Sequence, residues 1–158
     1  MTWDDIIWMK KECQKYDLAL ILKGIMTEED TRIACEVGVD AIIVSNHGGR
    51  QLDGTLGTVE VLEECVRAAE KSSRSGHKPL EVYIDGGIRR GKDVIKCLSL
   101  GAKCVFVGRP ILWRLSVGGE EGVTRSLEIF HEELITVLQL LGCTNIQELT
   151  RAYIHDRK

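Results

Sequence analysis

Four short apolar runs divide the chain into regular units. They span residues 18–22, 41–44, 82–84 and 104–107. Each run is continuously apolar rather than alternating, which is typical of parallel strands that are buried on both faces. Segments 27–37, 58–71 and 90–100 separate the runs, and each is long enough to form a crossover helix. The order predicts an α/β fold with four parallel βα units and right-handed connections.

Two more helices are predicted outside these units. In segment 122–141 the apolar residues recur on one helical face, so this helix should pack that face on the rest of the fold. These residues are Val123, Leu127, Phe130, Leu134, Val137, Leu138 and Leu141. Segment 3–12 is predicted to be a surface helix, because Asp4 and Asp5 in its first turn favour the helix dipole. Residues 72–79 are predicted to form a flexible loop between a helix and a strand.

A weak internal repeat has an offset of 63 residues. It superposes Gly24 on Gly87, Ile25 on Ile88, Asp30 on Asp93, Gly38 on Gly101 and Val44 on Val107. Gly38 and Gly101 should each end a helix, because glycine adopts the left-handed conformation without a steric penalty. The repeat favours a barrel of equivalent units, although any two αβ loops can look alike. A (β/α)8 barrel takes about 250 residues, so four units predict half a barrel unless the sheet is open and complete.

Composition narrows the function classes. The chain has 158 residues, 44% of them hydrophobic and 28% charged, which excludes a disordered or fibrous protein. Its net charge of −3 argues against a general nucleic-acid binder, and no apolar run is long enough to span a membrane. The six cysteines show no CxxC spacing and mostly lie in apolar runs, which favours buried thiols in a reducing intracellular compartment over disulfides.

Residues that can carry chemistry follow each predicted strand. Lys23 follows the first, segment 45–53 the second, segment 85–91 the third and segment 108–110 the fourth. The carboxyl ends of parallel strands meet at one edge of a sheet or barrel, where active sites of these folds lie. We therefore expect the four segments to form one site.

The last two segments have the composition of a phosphate site. Gly86 and Gly87 allow close approach of the backbone to a ligand, and Arg89 stands at a predicted helix start, where N–H groups favour anions. Arg109 adds a second guanidinium that can hold phosphate through two hydrogen bonds. The alternative is a tight glycine turn with two solvated arginines.

The second segment contains a candidate acid–base pair. His47 lies between Asn46 and two glycines and is the candidate general base, since imidazole titrates near neutral pH. Arg50 can bind a substrate carboxylate. Lys23 is either a surface residue or a buried cation that needs an anion. His77, His131 and His155 are expected at the surface.

At these residues the sequence resembles a known family. Residues 45–51, Ser-Asn-His-Gly-Gly-Arg-Gln, resemble the signature of the FMN-dependent α-hydroxy-acid oxidases and dehydrogenases. The resemblance continues through segments 3–6, 22–25, 85–91, 101–103, 107–110 and 141–143. It implies that residues 1–158 are a partial FMN hydroxy-acid dehydrogenase domain, the C-terminal half of a (β/α)8 TIM barrel.

The resemblance also implies roles for individual residues. His47 would remove a proton from the α-carbon or hydroxyl of a small 2-hydroxy acid, and Arg50 would bind its carboxylate. Lys23 would lie near the N1/O2 edge of the flavin and stabilise reduced FMN, and Ser45 would contact the flavin. The ribityl chain and phosphate of FMN would be bound by Asp85, Gly86, Gly87, Ile88, Arg89, Gly108 and Arg109.

Departures from the family pattern qualify these expectations. Ala19 replaces a usual proline, and Leu56-Gly57 replaces a usual Pro-Ala pair. The family's two substrate tyrosines and the aspartate partner of its histidine belong to the first half of the barrel and have no counterpart here. Four strands alone should leave two bare edges and one uncovered face, so the chain should be poorly stable or associate.

The sequence leaves alternatives open for the cellular location of the protein and for its function. The family suggests a homo-oligomer at full length in the peroxisome or cytoplasm, but Asp156-Arg157-Lys158 does not match a peroxisomal tripeptide. Another phosphate-binding TIM-barrel enzyme would share the Gly-Arg segments without needing His47 and Arg50 together. A non-catalytic half-barrel acting as a binding module is the third reading.

Overall fold

A four-stranded parallel sheet forms the centre of the chain, whose computed structural model describes residues 1–74, 76 and 78–155. The strands lie in sequence order as β1 (Ile21–Ile25), β2 (Ala41–Val44), β3 (Glu81–Ile84) and β4 (Cys104–Val105). The helices are α1 (Trp3–Lys15), α2 (Glu28–Val37), α3 (Thr58–Arg74), α4 (Gly91–Ser99) and α5 (Arg109–Leu141). All three strand pairs are parallel, which confirms the predicted α/β order.

The two faces of this sheet differ in burial. Leu22, Ile42 and Val82 share one row of the register, and their side chains are buried in the main hydrophobic core. In the next row, Lys23 is exposed, whereas Ile43, Tyr83 and Cys104 are half-buried. We call the side with this second row the open face. The predicted uncovered face is therefore present in the structure.

Helix ends follow the expected capping chemistry. The Thr27 side chain accepts a hydrogen bond from Asp30 N at the start of α2, and Thr2 and Asp5 form a capping box on α1. Gly38 ends α2 at a φ of 78°, and Gly101 follows α4 at a φ of 101°. Both glycines confirm the left-handed turns predicted from the repeat, since other residues rarely adopt this conformation.

Strand β1 begins three residues later than the apolar pattern predicts. The ladder begins at Ile21, opposite Ala41, whereas Leu18 is 59% exposed. Leu20 N instead donates a hydrogen bond to the Asp40 carboxylate, so the chain enters the sheet only after this contact. The fourth strand is shorter than expected and ends at Val105, although Phe106 N still donates to Ile84 O.

The last helix differs most from its prediction. It starts at Arg109 rather than at residue 122, and Gly119 interrupts it with a φ of 56° and a ψ of −141°. The turn after this break is tight, because a Cβ on Gly122 would lie 2.3 Å from Arg114 O. Glycine therefore marks a bend within α5 and not its beginning. Leu127, which we expected on the packed face, is 57% exposed.

Cysteine and surface predictions can also be compared with the structure. All six cysteines are free, and four of them, Cys35, Cys65, Cys97 and Cys143, are buried, which confirms the thiol interpretation. His131 and His155 are exposed as expected, whereas His77 and residues 156–158 lie outside the described residues. Helix α3 extends to Arg74 and takes the first part of the predicted 72–79 loop. Over the described ranges, no helix is both long and apolar enough to cross a membrane.

Candidate active site

A cleft of about 240 Å³ lies at the carboxyl ends of the four strands. It brings together residues from all four segments that the sequence singled out. Four cations and one carboxylate line it, so the cleft carries an excess of positive charge suited to anionic ligands. The predicted site residues on its wall are Lys23, His47, Arg50, Asp85, Gly86, Gly87, Ile88, Arg89, Gly108 and Arg109.

Lys23 is held at the end of β1 by two polar partners. Its Nζ donates to Ser45 Oγ at 2.6 Å and lies 2.8 Å from Asp85 Oδ2. The Lys23 side chain remains 45% exposed, whereas that of Asp85 is 21% exposed. Neither reading of Lys23 holds in full, because the side chain is not buried, yet its ammonium has an anionic partner at the strand ends.

Ser45 supports the cleft from behind rather than lining it. Only 2% of its surface is exposed, and its hydroxyl accepts hydrogen bonds from Lys23 Nζ and from His47 N at 3.1 Å. This position connects the cation of β1 to the turn after β2. Contact between Ser45 and a flavin stays a prediction.

His47 lies in a short helical turn, His47–Gly49, that follows β2. Its backbone has a φ of 57°, in the left-handed region that non-glycine residues seldom occupy. Asn46 closes the turn, because its Oδ1 accepts a hydrogen bond from Gly49 N at 3.1 Å. The imidazole is exposed toward the cleft, and Arg50 lies on the same wall. The predicted base and the predicted carboxylate ligand are thus brought together.

The glycine turn after β3 is shaped by its neighbours. Gly86 has a φ of 92°, and a Cβ there would lie 3.2 Å from both Asn46 Oδ1 and Thr58 Oγ1. The buried Thr58 hydroxyl lies 2.7 Å from Asp85 O, to which it donates. Gly87 has a φ of 77°, and a Cβ there would have no neighbouring atom within 4 Å. The backbone at Gly87 is therefore accessible to a ligand.

Two consecutive arginines at the start of α4 have different roles. Arg90 forms an ion pair with Glu133 of α5 at 2.6 Å and is tied to the helix pair. Arg89 lines the cleft, and among the described residues its side chain has no hydrogen-bond or ion-pair partner. Both backbone N–H groups are engaged by Asp93 Oδ2, at 3.1 and 3.0 Å. The Arg89 guanidinium is thus the one available to an anion in the cleft.

The site offers the groups that a phosphorylated, polyhydroxylated cofactor needs. Arg89 and Arg109 can bind phosphate, beside an open glycine backbone. Asp85 Oδ1 is buried without a hydrogen-bond partner among the described residues, whereas its Oδ2 pairs with Lys23. An unpartnered buried carboxylate oxygen is costly, and a ligand hydroxyl would satisfy it. The residues therefore fit FMN.

Sequence reasoning missed two groups of site residues. Phe106, Leu112 and Trp113 give the cleft an apolar wall, and all three are exposed. Their signal was available, because Leu112 and Trp113 follow Arg109-Pro110 closely at the start of α5. Asn46 and Thr58, which hold the two turns, were also missed; Thr58 gave no such signal, since its partner Asp85 O is 27 residues away, whereas Asn46 closes its turn locally through Gly49 N. Three His, Cys, Asp or Glu side chains placed to bind a metal are not found in the described part of the chain.

Curated relatives match nearly the whole chain. L-lactate oxidase from Nostoc sp. is 43% identical over 155 residues, covering 98% of this chain and 40% of the relative. 2-Hydroxyacid oxidase 1 from Mus musculus is 45% identical over 154 residues, with coverages of 98% and 39%. The chain thus spans about 40% of the length of these relatives.

Solved structures give the same result for the fold. A mandelate oxidase with benzoyl-formic acid is 41% identical, has a TM-score of 0.85, and is matched over 96% of this chain and 42% of its own. A flavocytochrome b2 variant with pyruvate bound is 40% identical, has a TM-score of 0.86, and is matched over 100% of this chain and 41% of its own. These TIM-barrel flavoenzymes are matched in part only, which confirms half of a (β/α)8 barrel. The model of the FMN-dependent dehydrogenase family matches residues 1–156, and this chain belongs to that family.

Proposed function

We propose that this chain supplies the cofactor- and substrate-binding part of an FMN-dependent (S)-2-hydroxy-acid oxidase or dehydrogenase. The observation that carries the proposal is a single cleft. His47 and Arg50 line the same cleft as Lys23, Asp85, Arg89 and Arg109, although they follow different strands. A phosphate-binding barrel enzyme of another kind has no need for an imidazole and a second free guanidinium in that place.

The charged residues of the cleft form two groups, one for the cofactor and one for the substrate. Arg89 and Arg109, with the Gly86-Gly87 and Gly108 backbones, would hold the phosphate of FMN, and the Asp85 carboxylate would accept a ribityl hydroxyl. Lys23 supplies a fixed positive charge, kept in place by Ser45 and Asp85. Bound FMN would supply the electron acceptor for this oxidation, with oxygen or another acceptor regenerating it.

The turn after β2 would bind and deprotonate the substrate. Arg50 presents a guanidinium that can form two hydrogen bonds to the substrate carboxylate and so orient the α-carbon. The hydroxy acid loses two hydrogens as it becomes a 2-oxo acid: His47 Nδ1 or Nε2 would take one as a proton, and the other would leave with the electron pair or as a second proton. The apolar wall of Phe106, Leu112 and Trp113 gives the substrate side chain a surface that excludes water.

Assembly and location are part of the same proposal. The relatives are about two and a half times as long as this stretch, so full activity would need further βα units beside β1 and β4. From the family resemblance we propose a homo-oligomer of the complete enzyme in the peroxisome or cytoplasm. The chain by itself would bind FMN more readily than it turns over substrate.

Cofactor binding is tested by titrating the chain with FMN and following the quenching of flavin fluorescence. Arg89→Gln should weaken FMN binding about tenfold, because one charged hydrogen-bond donor to phosphate is lost. The matched control is Arg67→Gln, since Arg67 is exposed on α3 and lines a different cavity. Absence of FMN binding, or an equal affinity in both variants, would contradict the proposal.

The substrate roles need a second experiment. We expect a 2-hydroxy acid to perturb the spectrum of the flavin-loaded chain, and Arg50→Gln to abolish this perturbation. His47→Asn should retain the perturbation while it removes any formation of 2-oxo acid. Asparagine is chosen because it tolerates the left-handed backbone of residue 47 better than alanine does. Undiminished 2-oxo acid formation by His47→Asn would show that His47 is not the base.

A further inference from the structure

The Gly48–Gly49 peptide group is held on both of its polar sides. Its carbonyl oxygen, Gly48 O, accepts a hydrogen bond from Arg109 Nη2 at 2.8 Å. Its N–H, on Gly49, donates to Asn46 O at 3.0 Å and to Asn46 Oδ1 at 3.1 Å. The orientation of this peptide plane is therefore set by one residue of its own turn and by one residue 61 positions away.

This peptide directly follows the candidate base. His47, Gly48 and Gly49 have φ values of 57°, 69° and 72°, so three consecutive residues occupy the left-handed region. A non-glycine residue is kept in that region only where its surroundings hold it there. Loss of a contact to the Gly48–Gly49 peptide would release the turn and change the direction in which His47 points.

Arg109 is placed to reach the turn and the cleft at once. It is the first residue of α5, lines the cleft with Gly108 and Arg89, and has Gly48 as its partner among the described residues. A guanidinium carries five N–H donors in one plane, of which Gly48 O uses one. The contact is close, because a Cβ on Gly48 would lie 2.9 Å from Arg109 Nη2.

We propose that Arg109 is a positioning residue for His47. It joins the phosphate of the bound cofactor to the Gly48 carbonyl, so that occupation of the phosphate site stabilises the turn that carries the base. This inference rests on the proposed function for its ligand. Cofactor binding and the orientation of His47 are then coupled through the Arg109 guanidinium. Lysine cannot replace it, since an ammonium is a point charge and lacks the planar fork.

Amide hydrogen exchange of residues 46–50 tests this coupling in the 158-residue chain. The variants are Arg109→Lys and, as matched control, Arg89→Lys, which changes the other phosphate-facing guanidinium in the same way. Exchange is measured without ligand, with saturating FMN, with riboflavin, which lacks the phosphate, and with inorganic phosphate. Exchange in β2 and α3 shows whether each variant remains folded.

We expect the unliganded Arg109→Lys variant to exchange Gly49 about five- to tenfold faster than the unmodified chain, because one charged hydrogen bond is lost. FMN and inorganic phosphate should slow exchange in the unmodified chain and in Arg89→Lys, but not in Arg109→Lys. Riboflavin should slow it less than FMN does.

Two outcomes overturn the proposal. One is equal Gly49 exchange in the unliganded Arg109→Lys variant and the unmodified chain. The other is full protection of the turn by FMN in the Arg109→Lys variant. If neither the unmodified chain nor the two variants bind FMN, the proposed function fails. The comparison of Gly49 exchange between the unliganded Arg109→Lys variant and the unliganded unmodified chain still decides whether Arg109 positions the turn.

Discussion

Replacing Asp40 with asparagine should lower the stability of the fold at neutral pH. Asp40 precedes β2, and its carboxylate binds Lys10 Nζ and Lys78 Nζ, each at 2.6 Å, and Leu20 N at 2.8 Å. It therefore ties α1 and the segments before β1 and β3 to one point. Partial burial would raise the pKa of Asp40, but the hydrogen bonds from Lys10, Lys78 and Leu20 outweigh it and hold that pKa well below its ordinary value.

The size of the effect follows from the exposure of the partners. The Lys78 side chain is 62% exposed, so its ion pair adds little. The Lys10 side chain is only 13% exposed, and neutralising Asp40 leaves this ammonium partly buried without its anion. Asparagine can still accept the hydrogen bond from Leu20 N. The expected loss is about 2 kcal/mol, which is about 1 M in the urea midpoint for a slope near 2 kcal/mol/M.

The pH dependence has a definite sign. Because the folded-state pKa of Asp40 is lowered, its contribution to stability is present above the unfolded-state pKa of about 3.9 and is lost as the pH falls toward the folded-state pKa. Urea unfolding at a series of pH values should therefore separate the unmodified chain from Asp40→Asn at pH 7 and bring them together in acid.

A matched control separates this effect from loss of a charge. Asp17 is exposed, and over the described ranges its carboxylate has no hydrogen-bond or ion-pair partner, so Asp17→Asn should leave the midpoint unchanged. If Asp40→Asn unfolds at the same urea concentration as Asp17→Asn at pH 7, the reasoning is refuted. The same holds if the gap between Asp40→Asn and the unmodified chain persists in acid.

Two further predictions concern packing and thiol reactivity. Gly91→Ala should lower the free energy of unfolding in urea by about 1–3 kcal/mol, because its Cβ would lie 2.7 Å from a backbone nitrogen of α5. The control Gly118→Ala has open space around it and should not destabilise the chain. Similar urea midpoints for the two variants would argue against the α4–α5 contact. Burial raises the pKa of Cys97 to about 12, so iodoacetamide at pH 8 should label the half-buried Cys13 and Cys104 and leave Cys97 unmodified until the chain unfolds. Native labelling of Cys97 at the rate of Cys13 would contradict its burial.

The strand boundaries show what the apolar pattern of the sequence can and cannot predict. Residues 41–44 are bounded by Asp40 and Ser45, and β2 occupies those four positions as predicted. Residues 18–25 hold apolar or small residues at most positions, so the pattern has no internal boundary there. What begins β1 at Ile21 is the hydrogen bond from Leu20 N to Asp40, which is a contact between separate segments. Local sequence does not contain that information.

The same distinction applies to the site. Strand-end location and residue chemistry were enough to predict that His47, Arg50, Arg89 and Arg109 share one cleft. The prediction assigned Arg89 rather than its neighbour Arg90 to the site, but the sequence does not show what keeps the Arg90 side chain away from it. Their difference depends on Glu133, a residue of α5 that binds Arg90 and leaves Arg89 to the cleft.

Lys23 gives the open face of the sheet an unusual electrostatic property. Any additional strands that close the barrel over Ile43 and Tyr83 would cover an ammonium group as well as apolar side chains. Removing a lone cation from water is expensive. Here the Asp85 carboxylate already lies 2.8 Å from Lys23 Nζ, so the covering polypeptide need not bring an anion of its own. Its facing surface can therefore be neutral and apolar around this pair.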